Sequence, residues 1–491
     1  MDTGRYSHPI WKRYENVLIV VVGIIAIVRI FVFSAAFPFF NNVDEQFHFD
    51  TVVNYAHGYL PGNGASTFNP ESAKIIAGYG TPEYFHRESA PVRRPFSAAR
   101  ENEWLHSINY EEHSSPVYYM CAGAWYNLGR LFGLQGGYLL YWIRFMNMPV
   151  YALFLWVAYL FCRDMEPDNQ YLRIGVMLLL SFFPQNVFYS INSDVMSPLF
   201  FICGLFLLAR IYGDNRSWRL YPLAGIMIAG TVLVKLSNLP ALLIFSIMIG
   251  MLVKKIHSTG HLAVRAPNIV AMLAALAVPL VVWIGVNLYT LGDMTGASEK
   301  INYWGWTVKP FREWGNHPIF TIQGMYLFLS ELARSFWRGE LIWHLERLAS
   351  KSSDGIYLLT TLIFGTAGIA AIIAKRAHSS SGSNFFNYLH IGVMASYISF
   401  LVLLSIRYDF GDCPYPSNEF PYFASGRLIL ATLVSFLTIY VKGVEFIAAK
   451  ISRRIDPMVV IFVIVLYSAF SEISIFLERG IFASPYNFFH L

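Results

Sequence analysis

The sequence predicts an all-α integral membrane protein: a bundle of about eleven transmembrane helices, with a long first extracytoplasmic loop that contains juxtamembrane helices. Composition is the first reason. Of 491 residues, 55% are hydrophobic, 17% aromatic and only 14% charged, where a soluble domain carries about 25% charged residues. Mean hydropathy is +0.45. The second reason is pattern: apolar runs of about 18 residues or more recur along almost the whole chain, as spanning helices require. The third is the concentration of Lys and Arg in alternate loops, the mark of segments that face the cytoplasm. The net charge of +5 is modest, and no nucleic-acid partner is expected.

Residues 16–37 form the first span. Its apolar core is long, it lacks a small-x-small cleavage site and more spans follow, so it is expected to be a span and not a cleaved leader. Arg5, Lys12 and Arg13 place the N-terminus in the cytoplasm. Residues 38–115, rich in Gly, Pro, His and Glu, then lie outside. Two apolar segments follow, 116–132 and 138–161, where parity allows one crossing. The first contains Asn127 and Arg130 and ends in a Gly-rich turn at 133–137, so it is expected to lie on the outer surface as an amphipathic helix. In the alternative, both segments cross and the weaker segment 220–235 does not. Basic loops at 163–173, 210–219 (with Arg216), 254–265, Lys375-Arg376 and 442–454 read as inside. Segments 192–194, 291–354, 407–423 and 478–491 read as outside. No internal repeat is evident, against a transporter built from two related halves.

The loop after the first span opens Asn41-Asn42-Val43-Asp44-Glu45-Gln46-Phe47-His48. A charge at a bilayer edge is costly against lipid, so such a cluster faces water, a cavity or a partner. On a helix, Asp44 and His48 share one face, and a carboxylate beside a histidine can act as a general base or hold a divalent ion. Asn192-Ser193-Asp194 sits in a very short outer loop, where Asp194 is either a second acid or a helix N-cap. Lys235 lies at the outer end of a helix, against the positive-inside bias; an anionic ligand or snorkelling to headgroups would explain it. Arg427 follows Ser425-Gly426 at the start of a late span. Arginine grips phosphate oxygens bidentately, and it also anchors to headgroups. The outer segment 291–354 contains Lys300, Trp304, Trp306, Trp314, Trp337, Arg338, Trp343, His344 and Arg347, a composition that suits sugar rings or an interfacial aromatic belt.

Taken in order, these motifs resemble the GT-C superfamily of membrane glycosyltransferases, most closely a bacterial multi-pass family known as domain of unknown function 2142. Its P-D-E-x-x-H motif reads here Val43-Asp44-Glu45-Gln46-Phe47-His48, and its P-P-L-Y-Y-like helix start reads Ser115-Pro116-Val117-Tyr118-Tyr119. Its N-S-D loop is Asn192-Ser193-Asp194, followed by Val234-Lys235-Leu236 and Pro240. Its S-F-W-G and Q-G-R-Y motifs read Ser335-Phe336-Trp337-Arg338-Gly339 and Ser425-Gly426-Arg427-Leu428. The departures are Val43, Ser115, Ser425 and Leu428.

The resemblance implies transfer of a sugar from a polyprenyl-phosphate carrier to an extracytoplasmic glycan, lipid or protein acceptor, by inverting displacement. It implies a multi-pass protein of the plasma (inner) membrane, in contact with membrane lipids. Asp44 would deprotonate the acceptor, with Glu45 or His48 orienting it. Lys235, Arg427, Asp194 and Arg338 would bind the donor and its phosphate, and Asp44 with Asp194 could hold a divalent cation, Mg or Mn. The implied division is a catalytic module at 1–290 including an outer loop at 38–137, an outer segment at 291–354, and C-terminal helices at 355–491 that complete the donor site. The alternatives are a polysaccharide polymerase or ligase that uses Trp337-Arg338 and His344 to Arg347, and a lipid or solute transporter. Four cysteines occur, Cys121, Cys162, Cys203 and Cys413, with no CxxC spacing for zinc or redox chemistry; Cys121 and Cys413, both outside, could pair.

Overall fold

The computed structural model describes residues 9–42, 44–59, 62, 66–79, 97–213, 217–340, 342, 343, 346–348, 350–375, 381–411, 413–452 and 454–491. Arg5, Val43, Arg216, His344 and Arg376, all named above, lie outside them. Helix α1 (Pro9–Ala36) is followed by four shorter helices, α2 (Glu45–Ala56), α3 (Pro70–Tyr79), α4 (Ala98–His106) and α5 (Pro116–Leu131). The bundle continues through α6 (Gly136–Phe145), α7 (Asn147–Met165), α8 (Gln170–Ser181), α9 (Ser197–Tyr212), α10 (Leu220–Val234), α11 (Pro240–Ser258) and α12 (Leu262–Leu291). After α13 (Ser298–Tyr303) and β1 (Thr307–Val308) come α14 (Ile322–Arg338), the β2–β3 hairpin (Ile342–Trp343, Glu346–Arg347), α15 (Lys351–Lys375), α16 (Ser381–Arg407), β4 (Tyr408–Asp409), α17 (Leu433–Ile451) and α18 (Pro457–Glu478).

Among the described residues, nine helical segments are long and apolar enough to cross a membrane, which makes the chain an integral membrane protein. The other two expected spans are shorter apolar helices: α8 has 12 residues and α10 has 15, about 18 and 22 Å at 1.5 Å per residue. Neither covers a hydrocarbon core of about 30 Å alone. After Ser181 and Val234 the chain continues as extended backbone broken by short 3-10 turns, Asn186–Tyr189, Ser193–Met196 and Leu236–Asn238. Exposed N–H and C=O groups in lipid would be prohibitively unstable, so such backbone survives only inside protein or beside a cavity; all twelve residues of α8 are buried. Within the 116–132 segment, Pro116–Leu131 form α5, a 16-residue amphipathic helix that lays one face on α2 and is not among the spanning candidates.

Local signals set the helix starts. Pro116, Pro198, Pro240 and Pro457 occupy first-turn positions, where the missing N–H is no loss. Asn169 accepts from Leu172 N at 3.0 Å and Asp456 from Met458 N at 2.9 Å, true N-caps. Burial separates the spans into two kinds. The segment Gly426–Ile451 is 89% buried and runs through the centre, whereas Leu262–Leu291 is 11% buried and shows lipid an almost wholly apolar surface. In the interior, Arg29 grips Glu472 with two bonds of 2.7 and 2.8 Å and also donates to Phe183 O at 2.8 Å, so this intramembrane charge is fully compensated.

Candidate active site

The turn between α1 and α2 is held by a buried ion pair. Arg144, on α6, donates to Glu45 Oε1 and Oε2 at 2.8 Å each, and to Pro38 O at 3.0 Å and Phe37 O. Glu45 also accepts from Phe40 N and Ile191 N at 2.9 Å. Both side chains are wholly buried. Every lone pair is used, so Glu45 is a structural anchor, not the catalytic group its place beside Asp44 suggests. The anchor holds Phe40 and Asp44 in left-handed backbone conformations, φ 60° and 65°, which non-glycine residues rarely adopt and which recur at functional sites.

Asp44 precedes α2 and faces away from Glu45. Its Oδ1 accepts from Tyr110 Oη at 2.7 Å and its Oδ2 from Arg427 at 2.9 Å. Arg427 lies at the centre of the cluster: it stands 3.9 Å from Asp194 Oδ2 and 3.5 Å from Glu340 Oε2. Lys235 closes the other side, 2.7 Å from Asp194 Oδ2. Lys300, on α13, pairs with Glu111. Asp44, Asp194, Lys235 and Arg427, from four distant stretches of chain, thus stand in one cluster at one end of the bundle.

The short helices and two glycines make this convergence possible. Asn192 caps the turn at 193–196 by accepting from Asp194 N at 2.9 Å. The cap is therefore Asn192, and the Asp194 carboxylate is free for Lys235. At Lys235 the chain turns extended, φ −159° and ψ 136°, between α10 and α11. Gly426 sits against the end of α14: a Cβ there would come 2.0 Å from Phe336 N, and Gly426 N donates to Ser335 Oγ at 2.8 Å. Gly339 has φ +77°, and a Cβ there would overlap Asn186 Oδ1. The Ser335–Gly339 and Ser425–Arg427 motifs are therefore two halves of one joint that presents Arg427 and Glu340.

Burial opposes ionisation of Asp44, but Lys300, Arg427 and His48 overcome it and hold the carboxyl well below the usual carboxylate range. Glu111 is likewise opposed by burial yet brought down to about 2 by Lys300 and His48. Burial pushes the His48 imidazole down to about 4 against the pull of Glu111, so it is neutral at pH 7. Its Nδ1 meets Tyr119 Oη at 2.7 Å, and its Nε2 is buried with no partner among the described residues. Arg427 Nε and one terminal nitrogen, Asp194 Oδ1 and Glu340 Oε1 are buried without hydrogen bonds in the same way. A group of buried, unfilled donors and acceptors around a guanidinium is what a polar ligand would complete.

Two expectations fail here. Arg338 does not join the cluster. It is bound to Asp354 at 2.7 Å and to Leu348 O at 3.3 Å, because Gly339 turns the chain and sends Glu340, not Arg338, to Arg427. A divalent ion on Asp44 and Asp194 does not fit either. Three of their four oxygens already face Tyr110, Arg427 or Lys235, and among the described residues no three His, Cys, Asp or Glu groups converge as a metal site. Cys121 and Cys413 are free, one exposed and one buried. Tyr110, Glu111 and Glu340 were not anticipated. The polar run Asn109-Tyr110-Glu111-Glu112-His113 before a membrane helix was the available signal for the first two.

A cavity of about 660 Å³ reaches Ile429, two residues beyond Arg427, and is walled by apolar groups of α14, α15, α16 and the chain after Arg427, among them Leu332, Phe336, Trp337, Leu358 and Leu362. Leu359 and Leu362 on α15 are exposed on its outer side, so the cavity borders the lipid face.

Three solved structures show distant likenesses to the chain. An oligosaccharyltransferase from Archaeoglobus fulgidus in complex with Zn and sulfate has a TM-score of 0.40 at 10% identity, over 93% of this chain and 53% of its own. The oligosaccharyltransferase AglB of the same organism, with an inhibitory peptide and a dolichol-phosphate, gives 0.41 at 11%, over 97% and 56%. ArnT from Cupriavidus metallidurans bound to undecaprenyl phosphate gives 0.36 at 12%, over 90% and 81%. The chain thus spans little more than half the length of the two archaeal proteins. No curated protein matches the sequence. A family model does: the predicted membrane protein family DUF2142 matches residues 25–407, and the chain belongs to that family.

Proposed function

We propose that the protein is a membrane glycosyltransferase of the GT-C type that moves a sugar from a polyprenyl-phosphate carrier to an acceptor outside the cytoplasm. The observation that carries this reading is the contact of Asp44 and Asp194 with Arg427 and Lys235 beside a lipid-bordering apolar cavity. The chemistry needs those parts: a base for the acceptor, cations for a phosphate leaving group and an apolar channel for the prenyl chain. In this reading residues 1–290 supply the base and Lys235, the C-terminal helices from 355 supply Arg427, and the site faces outward across the plasma membrane with the N-terminus inside.

The reaction is a single displacement. The acceptor O–H attacks the anomeric carbon, its proton passes to Asp44, and the C1–O bond to phosphate breaks with its electron pair on the leaving oxygen. The configuration inverts. Arg427 and Lys235 neutralise the charge that grows on the phosphate, the electrostatic contribution that usually dominates such steps. Asp44 is a poor base while Arg427 and Lys300 hold it ionised. Donor phosphate competes with Asp44 for Arg427, so donor binding both fills the unpartnered guanidinium N–H groups and releases the base. The neutral, buried His48, whose backbone N–H donates to Asp44 O one turn away on α2, positions the acceptor hydroxyl. The polymerase or ligase alternative relies on Arg338, which is bound to Asp354.

The test is purified protein in lipid nanodiscs with a panel of polyprenyl-phosphate hexoses, followed by mass spectrometry and anomeric assignment of the product. Transfer with inversion, reduced about 10²-fold or more by Lys235→Met, is expected. No donor turnover across the panel, or a product that retains configuration, contradicts the proposal.

A further inference from the structure

We infer that the segment after α12 forms an acceptor platform for a sugar ring, built from Tyr303 and Trp304 at the edge of the Asp44 site. This inference rests on the glycosyltransferase reading and names its acceptor class as a glycan.

The geometry begins at Tyr110, which donates to Asp44 Oδ1 at 2.7 Å and is almost wholly buried. Its ring is enclosed by Phe47 at 4.2 Å, Tyr303 at 5.0 Å and Trp304 at 5.5 Å between centroids. Tyr303 and Trp304 stand nearly perpendicular, 88° apart with centroids at 5.0 Å, so together they form a two-walled corner. Unlike Tyr110, Tyr303 is 45% exposed, and Trp304 is partly exposed. Neither the Tyr303 hydroxyl nor the Trp304 indole N–H bonds to another described residue. An aromatic corner with open faces and unspent polar edges matches a sugar ring, whose C–H face lies on an aromatic surface while its hydroxyls take hydrogen bonds.

The corner is fixed. Asp293 accepts from Thr295 N at 3.1 Å, Ala297 N at 3.0 Å and Ser298 N at 3.1 Å, which sets the start of α13. Lys300 pairs with Glu111 and lies 5.1 Å over the Tyr110 ring. Beyond the corner, β1 pairs with β4, Thr307 opposite Asp409. The Asp293 turn, Lys300 and the β1–β4 pairing thus fix the segment that carries Tyr303 and Trp304, one aromatic ring from the proposed base. An acceptor hydroxyl has to come within about 3 Å of that base, and the corner, one ring beyond, would carry a neighbouring sugar of the same glycan. An aromatic belt facing lipid would need no bond between its aromatic neighbour and the catalytic carboxylate.

The test uses full-length protein in nanodiscs with undecaprenyl-phosphate hexoses as donors, and tetrasaccharides of glucose, mannose and galactose, a blocked Ser/Asn peptide or a diacylglycerol as acceptors. The inference predicts transfer to a tetrasaccharide. The double change Tyr303→Ala, Trp304→Ala is expected to raise the KM for that tetrasaccharide tenfold or more, well beyond its effect on donor KM. Tyr303→Phe with Trp304→Phe restores most of the affinity. An acceptor KM that moves no more than the donor KM, or transfer only to the peptide, to the diacylglycerol or to water, overturns the platform and leaves the glycosyltransferase reading standing. No donor turnover by unmodified protein overturns both.

Discussion

Asp44 and Glu45 are neighbours in sequence and opposites in use. Glu45 and Arg144 form a dry pair in which each carboxylate oxygen has a guanidinium and a backbone N–H. Asp44 and Arg427 are also paired, but each side chain keeps about a seventh of its surface exposed, and Arg427 has nitrogens without a hydrogen bond. A saturated pair builds the scaffold, and an unsaturated one beside it leaves room for a ligand. The comparison teaches that satisfaction of hydrogen bonds, more than charge or burial, separates anchor from site.

The largest effect is expected at the anchor. Arg144→Ala leaves Glu45 buried and unpaired, a loss of about 3–5 kcal/mol in comparable pairs; thermal unfolding in detergent should show collapse of the fold or failure to accumulate. Ordinary stability in this variant would refute the anchor role. At the site the effect should fall on catalysis instead. Asp44→Asn should lower transfer by about 10²–10⁴-fold, the range of a general base, with a melting temperature close to that of the parent.

The helices were legible because each needs a long apolar run, and such runs stand out in one dimension. The lengths of α8 and α10 were less so, since their apolar windows continue into buried irregular backbone. At the site, the four residues that converge were visible as charges at helix ends on one side of the bundle. The scaffold role of Glu45 was invisible, because the deciding partner, Arg144, lies 99 positions away. Arg338 looked like the phosphate ligand by its chemistry. Its true partner Asp354, and the turn at Gly339 that brings Glu340 forward, depend on the joint between two distant motifs.

A smaller effect tests the cluster's geometry. Arg427→Lys keeps the charge but loses the fork that spans Asp44, Asp194 and Glu340; transfer should fall about 10-fold to 10²-fold, and recovery of full activity would show that charge alone suffices. Smaller still is the effect of pH on stability through His48. Its folded pKa, about 4, lies below the ordinary 6.5, so between these values the unfolded chain binds the extra proton. Stability contributed by neutral His48 is therefore complete above about 6.5 and falls as pH drops through the window. His48→Gln should flatten that acid limb in a melting series; an unchanged slope would remove His48 from the account.

In the proposed reaction Asp44 and the donor phosphate compete for Arg427. Equilibrium binding of undecaprenyl phosphate to Asp44→Asn protein, read alongside transfer, tests it most directly. Competition predicts tighter binding than in the parent protein, because Arg427 loses its hydrogen-bonded carboxylate at position 44, together with loss of transfer. Weaker or equal binding with transfer intact would contradict it.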